Sequence, residues 1–454
     1  MGSRLHKLMS LVVLLSMLGV LLVGCGGGGS STAQQAPAGG APAGGAAQAT
    51  AAPAAGGAAA GAAAGKGVAL EFWNPFTGPD GKFMETLVNR YNKENPNGDT
   101  VKVTTVPQYY DKLSASAAAD TLPDVLIVHA DQIPTQAARS VIRPLTADIA
   151  GSVQGNDYPD AVWKAGEYKG NRYSIPLDVH PLVMFYNQDL FKAAGIDKAP
   201  TNRAEFEAAA QKLTSGNNMG FAVTAGFPIM QEFLALLHQF GGSEFNADGT
   251  QVTWNSDAGV KALQWLKDMQ GKTSKPNLPV DAGISAFKQG TNAVEWNGIW
   301  QTSNLTGEGA KFGGAAPIPT IGDKPAVWAG SHQLTLAKHK KGEDDAKTAA
   351  AGRFIKWVTQ NSLEWAKGGQ IPASKTVRNS AEFKALQPEA TIAPSIETAF
   401  FPPAVPGIGD AYAELEKAVI DVMAGKQSDP KAALDGAANK AAQILKQNQQ
   451  RYGG

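Results

Sequence analysis

From residue 68 onward, short apolar runs alternate with stretches of helical spacing. Val68 to Trp73 (VALEFW) alternates apolar and polar residues and predicts a strand. A loop from Asn74 to Gly81 leads into a helical pattern carried by Phe83, Leu87, Arg90 and Tyr91. A second strand is predicted over residues 101–106 and a helix rich in small residues over 109–119. Pro123 to Val128 is a continuous apolar run of the kind found in a strand buried on both faces. Strands alternating with helices predict a doubly wound α/β layer, in which ligands bind beyond the carboxyl ends of strands. Those ends are Trp73 to Thr77 and His129 to Gln132.

The pattern changes between Asn171 and Asn187 (NRYSIPLDVHPLVMFYN). Two apolar strands, 173–177 and 182–186, flank Asp178 and His180, with Pro176 and Pro181 beside them. Proline removes a ladder donor and fixes φ, so the stretch reads either as a crossover from one sheet to another or as an edge strand with a solvated Asp-x-His. Two residues apart on extended backbone, Asp178 and His180 point to the same side.

Beyond this stretch, helices are predicted over 188–195, 204–213, 227–240, 255–270, 345–360 and 430–447, with strands over 219–224, 315–318 and 330–336. Trp265 is expected in the core of its helix. The 315–318 strand, leading into Pro319, is read as the return to the first layer. If 293–300 is helical, Trp296 and Trp300, four apart, share one face.

Composition adds an N-terminal address. Arg4, His6 and Lys7 precede the apolar run Leu8 to Val23, too short to span a membrane comfortably and flanked like an export signal. Leu22-Val23-Gly24-Cys25 closes it in a pattern that resembles a lipobox, and Cys25 is the only cysteine of the chain. Residues 26–67 are almost wholly Gly, Ala, Pro, Ser, Thr and Gln and are expected to form a disordered tether. The 40 basic and 40 acidic residues balance, with no long run of either sign, which argues against a nucleic-acid partner.

Several segments, in order behind the lipobox, carry a resemblance: LEFWNPFTGPDGK, TLPDVLIVHADQ, YSIPLDVHPLVMFYNQDLFKAAG, AVEWNGIW, FGGAAPIPT, WAGSHQLTLA and RFIKWVTQNSLEWAKGGQIPASK. Together they resemble the carbohydrate-binding branch of the extracellular solute-binding proteins of bacterial ABC importers, over essentially all of residues 68–446. The resemblance implies an α/β, two-lobed periplasmic-binding-protein-like fold (type II), each lobe a doubly wound sheet, with a hinged cleft between. The lobes would be 68–180 plus 318–366 and 181–317 plus 367–454, after a signal peptide (1–24) and a lipidated tether (25–67). Hinges are expected at Asp178 to Leu182 and near Pro317 to Pro319.

Carried over position by position, the cleft would take Asn74, Phe76 and Thr77 from the first strand end, and His129, Asp131 and Gln132 from the third. Asp178 and His180 would come from the crossover, and Phe227, Trp296, Asn297 and Trp300 from the second lobe. Gly330, Ser331 and His332 would line the return, with Phe400 and Phe401 as looser candidates. Val128 stands where maltose-type members carry an aromatic residue, and His180 where they carry a glutamate, which puts maltose itself in doubt. The late loop from Phe400 to Gly409 lacks the cation that a glycerol phosphate would want.

The resemblance implies a monomer anchored to the membrane through Cys25, without a cofactor, that passes a sugar to permease subunits of an importer. The residues alone point the same way: flat aromatic faces beside Asp, Asn, Gln and His suit the C–H faces and hydroxyl rim of a sugar. Two other classes stay open. A glycosidase would use Asp131 and Asp178 as its acid and base, although no G-x-S-x-G or H-E-x-x-H motif occurs in the body. A metal importer would use His129, His180 and His332 as ligands.

Overall fold

The computed structural model describes residues 67–452. The expectations for the export signal, Cys25 and the tether before Gly67 lie outside the described residues. The body is built on two mixed sheets of six strands each, with helices packed on them.

In the first sheet, β1 (Ala69–Asn74), β2 (Thr100–Thr105) and β3 (Val125–His129) are parallel, joined by the helices α1 (Gly81–Glu94) and α2 (Tyr109–Ala119). The apolar run of β3 occupies the middle of this sheet, its first four residues buried. Beyond it lie β4 (Ile142–Arg143) and the short β5 (Ser174–Pro176), both reached through a later antiparallel strand.

After Pro176 the chain leaves this sheet. β6 (Asp178–Asn187) is the spine of the second sheet, and every residue of it except Tyr186 is buried. Pro181 does not break it, because β6 changes partner along its length. Its start pairs with a short late strand and its end with two strands that arrive after the helices α3 (Ile229–Gln239) and α4 (Asp257–Thr273). Those two are β7 (Val294–Gly298) and β8 (Gly313–Pro317), both antiparallel to β6.

The predicted return at 315–318 therefore belongs to the second sheet. The crossing back lies at Ser331, between β9 (Val327–Gly330), which pairs with β6, and β10 (His332–Ala337), which pairs with β3. The pattern showed one glycine-led strand from Gly330, and the structure divides it between two sheets. The late strands β11 (Ile371–Pro372) and β12 (Ala399–Phe400) complete the second sheet, and the helices α5 (Asp345–Gln360), α6 (Ile408–Met423) and α7 (Pro430–Tyr452) cover the body.

The predicted strand 219–224 does not join a ladder. Met219 accepts a hydrogen bond from Ala293 at 2.8 Å and the Ala222 N–H reaches the Val294 carbonyl at 3.2 Å, but between them the Gly220 N–H turns to Thr273 at 3.0 Å, so only isolated bridges form.

The 293–300 segment is not helical. Val294, Glu295 and Trp296 pair with Tyr186, Phe185 and Met184 of β6, so neighbouring side chains take opposite faces. Trp296 falls on the core side with Phe206, Phe221 and Trp265. Glu295 falls on the other, buried and accepting hydrogen bonds from Asn292 and Asn297 at 3.2 Å each. Burial pushes its carboxyl up to about 8, against these two bonds and aided by nearby Asp281.

An acid with a raised folded-state pKa adds stability that is complete below its unfolded value and lost as pH rises through the folded one. Glu295→Gln is therefore expected to flatten part of the fall in melting temperature between pH 5 and pH 9. The gain over the parent should be on the order of 3 kcal/mol by neutral pH. Asp80 and Glu389, raised by burial to about 6 and about 7, and Asp131 and Glu232, also raised by burial, keep the rest of the slope. An unchanged slope in the variant would show that Glu295 does not carry the titration.

Candidate functional site

Both crossings between the sheets meet at one carboxylate. Asp178, the first residue of β6, is fully buried. It accepts hydrogen bonds from the His332 backbone N–H at 2.9 Å, His332 Nδ1 at 2.7 Å, His180 Nδ1 at 3.1 Å and Trp365 Nε1 at 2.6 Å. Burial opposes its ionisation, yet the charge and hydrogen bonds of His332 and His180 outweigh it and hold the carboxyl well below the usual carboxylate range. Asp178 and His180 do share one side of the strand, but the carboxylate is spent on orienting two imidazoles. It does not line the cavity.

A third imidazole joins them from the first sheet. His129 ends β3 directly opposite His332, the first residue of β10. Its ring lies 4.8 Å from that of His332 and 5.9 Å from that of His180, centroid to centroid. Tyr110, the second residue of α2, sits with its hydroxyl 2.6 Å from His129 Nδ1 and accepts the His129 backbone N–H at 3.0 Å. Burial lowers the His129 pKa well below the ordinary histidine value, with His332 and His180 adding to the effect. Burial also lowers that of His332, although Asp178 pulls it the other way.

These histidines border a cavity of about 470 Å³. Of the candidates read from sequence, Phe76, Thr77, His129, Asp131, Gln132, His180, Phe227, Trp300, Gly330 and His332 line it, as do Phe400 and Phe401. Asn74, Asp178, Trp296, Asn297 and Ser331 do not; all five are buried in the structure behind it. Asn74 Oδ1 holds the Phe76 N–H at 3.0 Å, Asn297 Oδ1 holds the Gly298 N–H at 2.9 Å, and Ser331 Oγ receives Gln333 Nε2 at 2.9 Å.

The aromatic wall comes from the second sheet. Trp300 lies just past β7 on a single 3-10 turn, and a Cβ on Gly298 would fall 1.9 Å from its ring. Glycine there lets Trp300 fold back over its own strand. Phe227 lies 6.1 Å from Trp300, and Trp328 meets it edge-on at 6.5 Å. Trp328, absent from the cleft candidates read from sequence, is thus a wall residue. Phe400 is stacked on His238 at 3.5 Å, which fixes the far wall. Gly330 keeps the floor open, since a Cβ there would fall 2.2 Å from His180 Nε2.

Sequence reading found Asp131 and Gln132 but missed the rest of the polar rim. Asp80 is held by Gln370 Nε2 at 2.9 Å and pushed up to about 6 by burial. Glu244 accepts the Tyr412 hydroxyl at 3.1 Å. Asp131, raised by burial, is paired with Gln132 Nε2 at 3.0 Å. Tyr110, Asp80, Glu244 and Gln370 sit at helix starts or in loops without periodicity, so no local spacing pointed to them. Among the described residues no lysine or arginine lines the cavity.

Comparison with known proteins places this geometry. A family model described as "bacterial extracellular solute-binding protein" matches residues 86–390. The maltodextrin-binding protein MdxE of Bacillus subtilis is 24% identical over 388 residues, covering 81% of this chain and 87% of that protein. The sn-glycerol-3-phosphate-binding periplasmic protein UgpB of Escherichia coli K12 is 26% identical over 332 residues, covering 67% and 74%. Among solved structures, the GacH receptor of Streptomyces glaucescens, known unliganded and with acarbose, aligns with a TM-score of 0.74 at 20% identity. That match covers 84% of this chain and 99% of the receptor.

Proposed function

Because the chain belongs to the bacterial extracellular solute-binding protein family, an extracytoplasmic family, we propose that it captures an uncharged sugar or oligosaccharide in this cavity and delivers it to the permease of an ABC importer. The observation that carries the reading is the composition of the wall. Trp300, Trp328, Phe227 and Phe400 offer flat apolar faces, while Asp80, Asp131, Gln132 and the imidazoles offer hydrogen-bonding groups to hydroxyls. The relatives named for maltodextrin and for acarbose support a carbohydrate. Among the described residues the cavity lining carries carboxylates and no lysine or arginine, which disfavours the glycerol phosphate of UgpB.

Asp178 to Leu182 and the Gly330 to His332 crossing would be the hinge, closing the two sheets on the solute. Export through residues 1–24 and lipidation at Cys25 would hold the body at the membrane on its tether, as a monomer. Replacement of Cys25 by Ser, followed by fractionation, is expected to release the protein from membranes.

The function is tested by a thermal-shift screen of the full chain against mono- and oligosaccharides, polyols and glycerol phosphates. A solute at a hundred times its Kd stabilises by about 2.7 kcal/mol. Trp300→Ala is expected to weaken binding of the hit by about 1–3 kcal/mol, or about 5–150-fold, in a calorimetric titration. A hit confined to glycerol phosphates would overturn the uncharged-sugar reading.

A further inference from the structure

The three imidazoles on the cavity floor are oriented in a way that sugar binding alone does not require. One ring nitrogen of each of His129, His180 and His332 lies within 4.8 Å of the other two. Their Nδ1 atoms are already engaged. A carboxylate only accepts, so His180 and His332 each donate Nδ1–H to Asp178, and each presents Nε2 as a bare lone pair when neutral. The Tyr110 oxygen takes the His129 backbone N–H and lies 2.6 Å from its Nδ1, a contact in which either atom can be the donor; the tautomer with Nδ1 donating leaves the His129 Nε2 bare as well. Among the described residues no protein group hydrogen-bonds any of the three Nε2 atoms.

Imidazoles fixed through one nitrogen by a carboxylate or hydroxyl, with the other nitrogen free, are the arrangement that metal-ligating histidines adopt. Here all three come from rigid strand ends of both sheets: His129 closes β3, His332 opens β10 and His180 lies near the start of β6.

We propose that His129, His180 and His332 bind a divalent late transition ion of the zinc type through Nε2, with Asp178 and Tyr110 as the groups that orient them. An all-imidazole set suits zinc, cobalt, nickel or copper and not magnesium or calcium, which take oxygen ligands. A tetrahedral ion with bonds of about 2.0–2.1 Å would draw the nitrogens to about 3.3 Å apart, which requires the His180 and His332 rings, stacked at 4.1 Å and 28° in the free protein, to turn toward a shared apex. Three protein ligands leave a position open, and it faces the cavity. Resting on the solute-binding reading of that cavity, a hydroxyl of the solute would complete the coordination and make capture metal-assisted.

Cobalt(II), whose ligand-field bands report nitrogen coordination, is the probe. The untagged full chain in mild detergent is titrated with cobalt chloride after chelator treatment and dialysis. Expected are one ion per chain and visible bands, both lost in His129→Gln and unchanged in His339→Gln, a histidine outside the cavity. Tyr110→Phe, which removes only the orienting hydroxyl, should weaken binding about 10–100-fold and remains informative if His129→Gln does not fold. Absence of stoichiometric uptake, or bands that survive His129→Gln or are indifferent to Tyr110→Phe, overturns the proposal.

The solute screen is run on the metal-free and cobalt-loaded chain alike. Sugar binding without cobalt uptake rejects the metal site and leaves the proposed function standing. Cobalt uptake with no sugar hit does the reverse.

Discussion

Replacing Asp178 by alanine is expected to cost about 3–5 kcal/mol of folding stability in urea denaturation. The carboxylate is the shared acceptor of four donors, two imidazole Nδ1–H groups, the His332 backbone N–H and the Trp365 indole N–H. When it is gone these donors face a buried void, because His180, His332 and Trp365 are themselves buried on that side. Removing one partner of a buried network leaves the other partners desolvated and unpaired, the expensive case. Asp178→Asn keeps the shape but offers one oxygen, which can accept at most two of the four, so it should fall between the parent and alanine.

The pH dependence follows from the direction of the shift. An acid whose folded pKa is depressed contributes stability that is present above its unfolded value and lost as pH falls through the folded one. The parent should therefore shed the Asp178 contribution only in acid below about pH 4, and Asp178→Ala should lack that part of the acid transition. A loss under 1 kcal/mol in Asp178→Ala would mean that the two crossings are not tied together by this side chain.

Much of the first sheet was legible because its strands carry their own signal. The fully buried run of β3 and the alternation of β1 identify themselves without tertiary context. The crossover was legible too, since prolines flank it and Asp178 and His180 fall on one side of any extended backbone. What Asp178 does there was not legible, because three of its four donors come from His332 and Trp365, more than 150 residues away. The same distance hid the return crossing. Nothing local distinguishes the strand at 313–317 from one that changes sheet, and only pairing with Val183 to Asn187 assigns it. Tyr110 looked like the first turn of a small-residue helix; its hydroxyl matters because α2 packs beneath the end of β3.

The two tryptophans of Trp296-Asn297-Gly298-Ile299-Trp300 separate for the same reason, and the separation predicts opposite phenotypes. Trp296 is wholly buried, stacked on Trp265 at 5.8 Å and packed on Phe221 and Phe206 at 5.0 and 5.2 Å. Trp296→Ala is expected to cost about 3–5 kcal/mol of stability, through the lost burial of the indole and the cavity it leaves. Any effect on solute affinity should vanish once the folded fraction is accounted for.

Its indole N–H has no hydrogen-bond partner among the described residues, so Trp296→Phe removes an unpaired polar group together with part of the ring. That variant should cost much less than alanine, within about 1–2 kcal/mol of the parent. Trp300→Ala should behave inversely, because its half-buried ring faces the cavity and its ring neighbours His180, Phe227 and Trp328 line that cavity too. Urea denaturation and calorimetric titration of the three variants side by side decide the matter. Normal stability with lost affinity in Trp296→Ala would exchange the two roles and move the solute site to the other face of β7.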